Sequence, residues 1–558
     1  MNNFLLQDYI PVPAPFGMSD WLTFWLIAVI SVVNGIVMLF VGYKFLQILQ
    51  LSGYKLKGYF EWFKASKGKY VGRLIILSFL STAALLVTNV LLEHFFIYKI
   101  LTYIGLIFYF LFCIIFIFNM YNAPQKVPLK YTKRMNRLCV ALFLVVTAVT
   151  FIVMTSSELY IPYLRYGSLG LTPVFLPVLV MIAFFLTYPI ELIISKYYVV
   201  KAKNKLKNQF PDIITIGITG SYGKTTVKNI LSAILSEKYK VCATPFSYNT
   251  PLGLSKTILE KLKPKTEILV AEMGAKYVGD IKYLTEMIQP NIGVITGIGN
   301  QHLATFGSQE NLIATKSELF TNMKKGAKAY VNVDANLSQE LFDGIKCDKN
   351  YTTIKHSEGR FCVENVAVCV NGSKFDLVVD GKRVECETAL LGEHNISNIL
   401  LSVAVAYDLG VSLEQIQSAI SKLTPPAHRL AIVPSSNSLT IIDDAYNASV
   451  EGVAAALKVI SKFDGQKIVI TPGLIELGKE EFNANFEFGK QMAEVADFVI
   501  VDGVYNYEAI SKGLEAGGFE MNNLLRAGSL SQAIEVLNTI SKPGDVVLFE
   551  NDLPDNYL

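Results

Sequence analysis

Apolar positions along this chain follow two regimes that meet near residue 195. Before that point they gather into long, nearly uncharged runs at about 21–42, 74–92, 100–118, 138–156 and 173–194. Each is close to the ~20 residues that carry a helix across the hydrocarbon core of a bilayer, so five membrane-spanning helices are expected. From 213 onward, short β-branched runs alternate with stretches of helical periodicity, which predicts a parallel sheet with crossover helices. Strands are predicted at 213–218, 268–274, 291–298 and 327–333, and helices at 225–236 and 310–322. Alternating apolar residues between 361 and 391 (Val366, Val368, Val370, then Phe375, Leu377, Val379) predict a small antiparallel sheet. After Pro425-Pro426 the pattern predicts strands at 439–442, 467–471, 498–501 and 546–549 and helices at 450–462 and 481–495, a Rossmann-like unit. The fold class expected is multi-domain: a membrane domain over 1–195, a basic tether over 196–211, an α/β phosphate-binding domain over 212–424 and an α/β domain over 425–558.

Charge orients the apolar half. The first loop carries Lys44, Lys55, Lys57, Lys64, Lys67, Lys69 and Arg73, whereas the second carries only Lys99. The third holds Lys126, Lys130, Lys133, Arg134 and Arg137, the fourth only Arg165, and Lys196, Lys201, Lys203, Lys205 and Lys207 follow the last run. Cytoplasmic loops collect Lys and Arg, so this alternation places the N-terminus outside and everything after 195 in the cytoplasm of a multi-pass protein of the plasma membrane. The first run has no basic residue before it and does not read as a cleaved signal peptide. Asn34, Asn89 and Glu93 lie within or beside the runs, where helix packing or an interfacial place accounts for them as readily as a functional role.

Composition narrows the function classes. Hydrophobic residues make up 52% of the 558 and the mean hydropathy is +0.38, too apolar for a purely soluble enzyme. A net charge of +3, without a basic tail, argues against nucleic acid as a partner. The 7 cysteines form no CxxC pair and the 5 histidines show no ligand spacing, so the thiols are read as reduced and a zinc site is not expected.

The chemistry concentrates at 213–226. A β-branched run breaks into the tight turn Gly220-Ser221-Tyr222-Gly223, and Lys224-Thr225-Thr226 opens a helix with apolar residues at Val227, Ile230, Leu231, Ile234 and Leu235. Strand, glycine turn and helix start build a phosphate cradle: backbone N–H groups and the helix N-terminus face the anion, the lysine neutralises it, and a hydroxyl reaches its Mg²⁺. The strict motif wants glycine at 218, where isoleucine stands. Further polar residues, Glu272, His302 and Lys316, gather where the following strands end, and ligands bind at such ends.

These residues carry a resemblance. Thr-Gly-Ser-Tyr-Gly-Lys-Thr-Thr (219–226), Ala-Glu-Met-Gly-Ala (271–275), Gly-Asn-Gln-His-Leu with Phe-Gly-Ser (299–308) and Ala-Thr-Lys-Ser-Glu (314–318) resemble the central domain of the Mur ligases. Gly392-Glu-His-Asn395-Ile-Ser-Asn398, Pro426-Ala-His-Arg429, Asp443-Asp444-Ala-Tyr-Asn-Ala and Glu476-Leu-Gly478 continue it, so that it covers about 212 to 558 and is nearest the branch that adds D-alanyl-D-alanine. The resemblance implies ATP-dependent C–N bond formation through an acyl phosphate on a cell-envelope precursor, with an amino acid or short peptide as the second substrate. It places Gly220 to Thr226 around the phosphates, with Lys224 and Thr225 at the β- and γ-phosphates. It sets Thr225, Glu272, His302 and a carbamylated Lys316 near two Mg²⁺, Asn395 and Asn398 near the adenine, and Arg429 and Asp444 against the nucleotide from the last domain.

The chain also departs from the family. The apolar half stands where the family has its uridine-nucleotide-binding first domain. Ser449-Val450 replaces Asn-Pro, Pro472-Gly473 replaces Gly-Asp, and Glu550-Asn551-Asp552 replaces the final Lys-Gly-Ser. With a bilayer-embedded unit in place of the first domain, the precursor is expected to be lipid-linked. The alternatives are a ligase resembling poly-γ-glutamate synthases and an ATP-driven export subunit; the latter has no use for Lys316.

Overall fold

The computed structural model describes residues 18–551, apart from 66–68, 91–97, 122–127, 161–166, 300–305, 307, 335–336, 356–358, 434–437, 447, 476 and 504. The chain divides into two compact units whose sequence boundary falls at Ile194 and Ser195.

In the first unit the apolar runs form helices α1 (Met18–Val41), α2 (Lys69–Val90), α3 (Tyr98–Tyr121), α4 (Lys133–Tyr160) and α5 (Thr172–Gln209). Four of the five expected spans lie in helices long and apolar enough to cross a membrane, over Trp21–Val41, Tyr70–Val87, Lys133–Ser156 and Thr172–Gln209. The expected span 100–118 lies within α3, whose 24 residues at ~1.5 Å each suffice for a ~30 Å hydrocarbon core. Outward positions stay apolar, with Leu22 72%, Phe79 71% and Ile193 70% exposed, as on helices that have lipid for solvent. Polar atoms turned inward find one another. The Asn34 amide donates to Thr150 Oγ1 at 2.9 Å, and its carbonyl accepts from the Tyr109 hydroxyl at 2.6 Å. Asn34 is therefore a helix-packing residue. Asn89 has no described side chain, and Glu93 lies outside the described residues.

The second unit begins on the basic stretch expected as a tether, and this is a correction. Residues Ser195 to Gln209 are helical, and Val199, Ala202 and Leu206 are buried in the core of the α/β domain. The spacing of those three positions is that of one helix face, while the lysines between them stay solvated. Lys205 Nζ donates to the carbonyls of Leu259 and Leu262 at 3.1 and 3.2 Å, satisfying the end of a neighbouring helical turn.

A six-stranded sheet follows, in the order β2-β3-β1-β4-β5-β6. Its strands are β1 (Ile214–Thr219), β2 (Val241–Ala243), β3 (Ile268–Glu272), β4 (Ile292–Ile295), β5 (Lys328–Asn332) and β6 (Asp348–Thr352), all parallel. The near-continuous apolar runs of β1, β3 and β4 reflect burial on both faces. Ile218, at the position where the strict loop motif wants glycine, is fully buried inside β1, where a side chain fills the core and leaves the turn untouched.

Helix α6 (Lys224–Ser236) covers one face together with α8 (Glu393–Asp408); between them in sequence, α7 (Gln309–Ser317) lies beyond β4. Strands β7 (Phe361–Cys369), β8 (Gly372–Val379) and β9 (Lys382–Thr388) form the expected antiparallel sheet. Phe375, Leu377 and Val379 are buried as the alternation reads and Val368 packs partly against the same core, whereas Val366 and Val370 are exposed. A register shift between Glu364 and Ala367 inserts one residue into β7, so that Val368 shares the buried face of Phe361 and Val363.

The last domain is a second six-stranded sheet in the order β10-β11-β15-β12-β13-β14. It comprises β10 (Ala431–Val433), β11 (Thr440–Asp444), β12 (Lys467–Thr471), β13 (Phe498–Asp502), β14 (Leu524–Ala527) and β15 (Val546–Glu550); only β10 runs antiparallel to its neighbour. Ser449, where the family has asparagine, accepts a hydrogen bond from Gly452 N at 3.0 Å and caps the helix Val450–Ile460.

Candidate active site

The glycine turn after β1 needs its glycines. Gly220 has φ +155°, and a Cβ there would lie 2.1 Å from Thr296 Oγ1; Gly223 has φ +76°, and a Cβ there would meet Asn398 Oδ1 at 2.9 Å. The turn is clamped from β4. Ser221 N donates to Gly297 O at 2.7 Å, Ser221 Oγ to Gly299 O at 3.0 Å, and the Thr296 hydroxyl to Tyr222 O. Lys224 begins α6, and its Nζ curls back to Gly220 O and Ser221 O, both at 2.9 Å. Burial pushes its pKa down to about 8; Glu272 pulls the other way and Arg429 adds to the lowering.

Glu272 ends β3 beside this turn and is 1% exposed. Its Oε2 accepts from Thr225 Oγ1 at 2.9 Å and its Oε1 from Asn249 Nδ2 at 3.2 Å. Thr226, also in the first turn of α6, is buried. Lys316, on α7, is 3% exposed, with its Nζ 5.9 Å from the centre of the Phe306 ring. Burial, reinforced by Lys224, holds its pKa well below the ordinary lysine value.

Asn395 and Asn398 lie in the first turns of α8, both buried, with Asn398 Nδ2 donating to Asn395 Oδ1 at 3.4 Å. Asn398 faces the phosphate turn at Gly223. Arg429 sits between two residues of left-handed backbone, His428 and Leu430, with its guanidinium 4.5 Å from the Tyr446 ring centre. Asp444 ends β11 and accepts from Leu430 N at 3.0 Å. Burial raises its pKa to about 6, against the opposing pull of Arg429. Lys224, Thr225, Glu272, Asn398 and Lys316 thus gather around one turn, and Arg429 approaches from the last domain. His302 lies outside the described residues.

Sequence reasoning passed over Lys228. It is 2% exposed, donates to Glu272 Oε2 at 3.2 Å and also bonds the Phe246 carbonyl. Its signal was present in the chain: Lys228 interrupts the buried stripe of α6, one turn after Lys224. Asn249 and Thr296 come from loops and carried no periodic signal.

Fold and turn together define a class, an α/β phosphate-loop protein whose loop is faced by a second Rossmann-like domain. The sequence matches the Mur ligase middle domain over residues 218–406 and the Mur ligase glutamate ligase domain over residues 428–550. It is 30% identical over 342 residues to a UDP-N-acetylmuramoyl-tripeptide–D-alanyl-D-alanine ligase of Synechocystis, covering 60% of this chain and 71% of that protein. It is 29% identical over 342 residues to the ligase of the same name from Bacillus subtilis, covering 60% and 72%. For the Buchnera aphidicola ligase of that name the figures are 31% over 298 residues, 50% and 64%, so the chain spans about two thirds of the length of these relatives. Among solved structures, MurF from Acinetobacter baumannii superposes with a TM-score of 0.58 at 25% identity, covering 64% of this chain and 77% of that one. The MurF ligase of Thermotoga maritima in complex with ADP gives 0.57 at 26%, covering 64% and 80%. The chain belongs to the Mur ligase family.

Proposed function

We propose that this chain is an ATP-dependent amide ligase, anchored in the plasma membrane by its N-terminal helices, that joins an amino acid or short peptide to a carboxylate of a lipid-linked cell-envelope precursor. The observation that carries the reading is the Thr225–Glu272 contact at the mouth of the phosphate turn, with Lys224 inside it. A hydroxyl and a carboxylate set together beside a lysine are the hard-oxygen donor set that suits Mg²⁺ on a nucleotide. Thr225 and Glu272, with His302 and a carbamylated Lys316, would hold two such ions, and Mg²⁺ when bound draws charge off the phosphate oxygens.

The remaining roles belong to the chain. Lys224 and the backbone of 220–226 gather the β- and γ-phosphates of ATP, Asn395 and Asn398 bound the nucleotide on the α8 side, and Arg429 and Asp444 close on it from the last domain. A carboxylate oxygen of the precursor attacks the γ-phosphorus, the bond to ADP breaks, and the acyl phosphate forms. The amine nitrogen then attacks the carbonyl carbon, phosphate departs with the bonding pair, and the nitrogen loses a proton. Positioning and charge neutralisation supply most of the acceleration in such transfers. A low Lys316 pKa supports carbamylation, because only a neutral amine adds to carbon dioxide. The relatives named above are ligases of UDP-N-acetylmuramoyl-tripeptide and D-alanyl-D-alanine, and that chemistry favours a ligase over an export subunit.

The membrane part of the reading rests on the apolar, outward-facing helices and on the alternating basic loops. Confining enzyme and precursor to one bilayer raises their effective concentration. The test offers the purified protein a matched pair of precursors, one on an undecaprenyl-type lipid and one as the free uridine nucleotide, and follows ADP and phosphate release. A larger kcat/KM for the lipid-linked form is expected; a larger value for the soluble nucleotide overturns the lipid-linked reading.

A further inference from the structure

Arg134 is the second residue of α4, just ahead of the apolar run that starts at 138. Its guanidinium carbon lies 3.8 Å from the centre of the Tyr54 ring, a stacking distance. A turn brings the ring there. Gly53 (φ +64°) and Tyr54 (φ +59°) take left-handed backbone after the helix Tyr43–Leu51, and Tyr54 N closes on Leu49 O at 2.8 Å. Gln50 then braces the corner. Its Nε2 donates to the Tyr54 hydroxyl at 3.3 Å and to Lys130 O at 2.7 Å, while its Oε1 accepts from Lys130 N at 2.8 Å.

The acid of this corner is Glu191 on α5, with a side chain 12% exposed. Arg137 takes both of its oxygens, Nε donating to Oε1 at 2.5 Å and Nη2 to Oε2 at 2.9 Å. Arg134 Nε stands 3.8 Å from Oε2, beyond hydrogen-bonding reach. Among the described residues Glu191 is the one carboxylate whose field acts on Arg134, and Arg137 opposes it. Two arginines therefore share one acid, with the exposed Lys130 and Lys133 nearby in the chain, and the balance is positive.

A guanidinium stacked on one face keeps its N–H fork in a fixed plane, the geometry that meets two phosphate oxygens at once. The ring has already ordered the side chain, so less rotamer freedom is lost on binding. The Arg134 side chain is 29% exposed, and an anion reaches it from the surface. Exposed apolar residues stand close by on both helices, Val140 on α4 and Ile190 on α5. A place apolar on one side and basic on the other lies at the level of lipid headgroups. Orientation of the helices explains why basic residues are here, but not why one guanidinium is set on a braced ring with its donors unspent.

We propose that Arg134, held on Tyr54 and flanked by Lys130 and Lys133, binds the phosphate of an anionic lipid headgroup at the cytoplasmic face of the membrane unit. The proposal rests on the membrane part of the reading above and is independent of the ligase chemistry.

Native mass spectrometry of the full-length protein in detergent tests it with dioleoylphosphatidic acid and dioleoylglycerol, which differ only in the phosphate. Wild type is expected to bind the phosphatidic acid at least ~10-fold more tightly, as for one charge-assisted pair. Arg134→Gln should reduce that preference to within ~2-fold, whereas Lys133→Gln, which removes a solvated charge, should change it by less than ~2-fold. Arg134→Lys keeps the charge and the packing but loses the fork, and should forfeit most of the preference. No preference in wild type overturns the proposal. So does a preference that survives in Arg134→Gln, an Arg134→Lys protein equal to wild type, or a Lys133→Gln protein as impaired as Arg134→Gln. Displacement of the lipid by inorganic phosphate alone would assign the corner to a free anion and overturn the lipid source. Failure of the membrane reading would show separately, as full-length protein recovered from cells in the soluble fraction, a result that the measurement in detergent does not affect.

Discussion

Lys228 Nζ lies 3.2 Å from Glu272 Oε2, and each side chain is only 2% exposed. The pair ties the phosphate-loop helix to the neighbouring strand and presents the same carboxylate to Thr225. Breaking a buried pair from one side leaves an unpaired charge, at a loss of ~3–5 kcal/mol, whereas removing both partners leaves none. Lys228→Met is therefore expected to lower the thermal unfolding midpoint of the α/β unit by several degrees, and Lys228→Met with Glu272→Gln by less. Scanning fluorimetry without nucleotide reads the difference. A double variant that melts below the single one would show that the pair is not what stabilises this corner.

At the turn itself, Lys224→Ala should reduce ligation ~10²–10³-fold, the usual loss when one preorganised charge is removed from a transition state. Lys316→Ala should abolish activity, and Lys316→Arg should not restore it, because arginine cannot become a carboxylate and fills the cavity with positive charge. Short carboxylates or bicarbonate are expected to rescue the alanine variant in part and the arginine variant not at all. A fully active Lys316→Arg enzyme would reduce Lys316 to a packing residue.

Asp444 and Glu550 set a pH dependence. Burial raises Asp444 from 3.8 to about 6 and raises Glu550 well above its ordinary value, with Arg429 opposing both. A carboxyl whose folded pKa is raised holds its proton more firmly in the folded state. Its contribution is therefore fully present below 3.8 and is lost as the pH rises through about 6. The stability of wild type relative to Asp444→Asn should fall across that window, as chemical denaturation at pH 4, 5, 6 and 7 would report. A flat difference across the series would mean that the carboxyl is not buried in solution.

Topology separates a four-span from a five-span membrane unit. The basic loops put the N-terminus outside if α3 crosses, and then reporters fused ahead of Asp20 and at Leu558 lie on opposite sides. If α3 does not cross, both reporters lie in the cytoplasm. Paired phosphatase and fluorescent-protein fusions decide between the two.

The apolar runs, the β-branched strands and the glycine turn were legible in the sequence because each is local. Hydrophobic period and turn chemistry act within a few residues, and they placed β1, β3, β5 and the phosphate loop within a residue or two. Short elements such as β2, β6 and β10 were not legible, since three to five residues paired at a sheet edge leave almost no periodic trace. The basic stretch after 195 misled for a related reason: the solvated lysines dominate the composition, while three buried positions on one face decide the structure.

What the sequence by itself determined is the chemistry available: a lysine and threonine after a glycine turn, a glutamate at a strand end, a lysine on a helix. Only the tertiary structure decided which groups share a place. Asp444 and Glu550 are 106 positions apart and stand side by side because β15 inserts between β11 and β12. Lys228 visibly interrupts a buried helical stripe, but only β3, by bringing Glu272 beneath it, supplies its partner. Whether a charge is partnered is settled by strand order and packing between elements distant in the chain, and no local pattern records that.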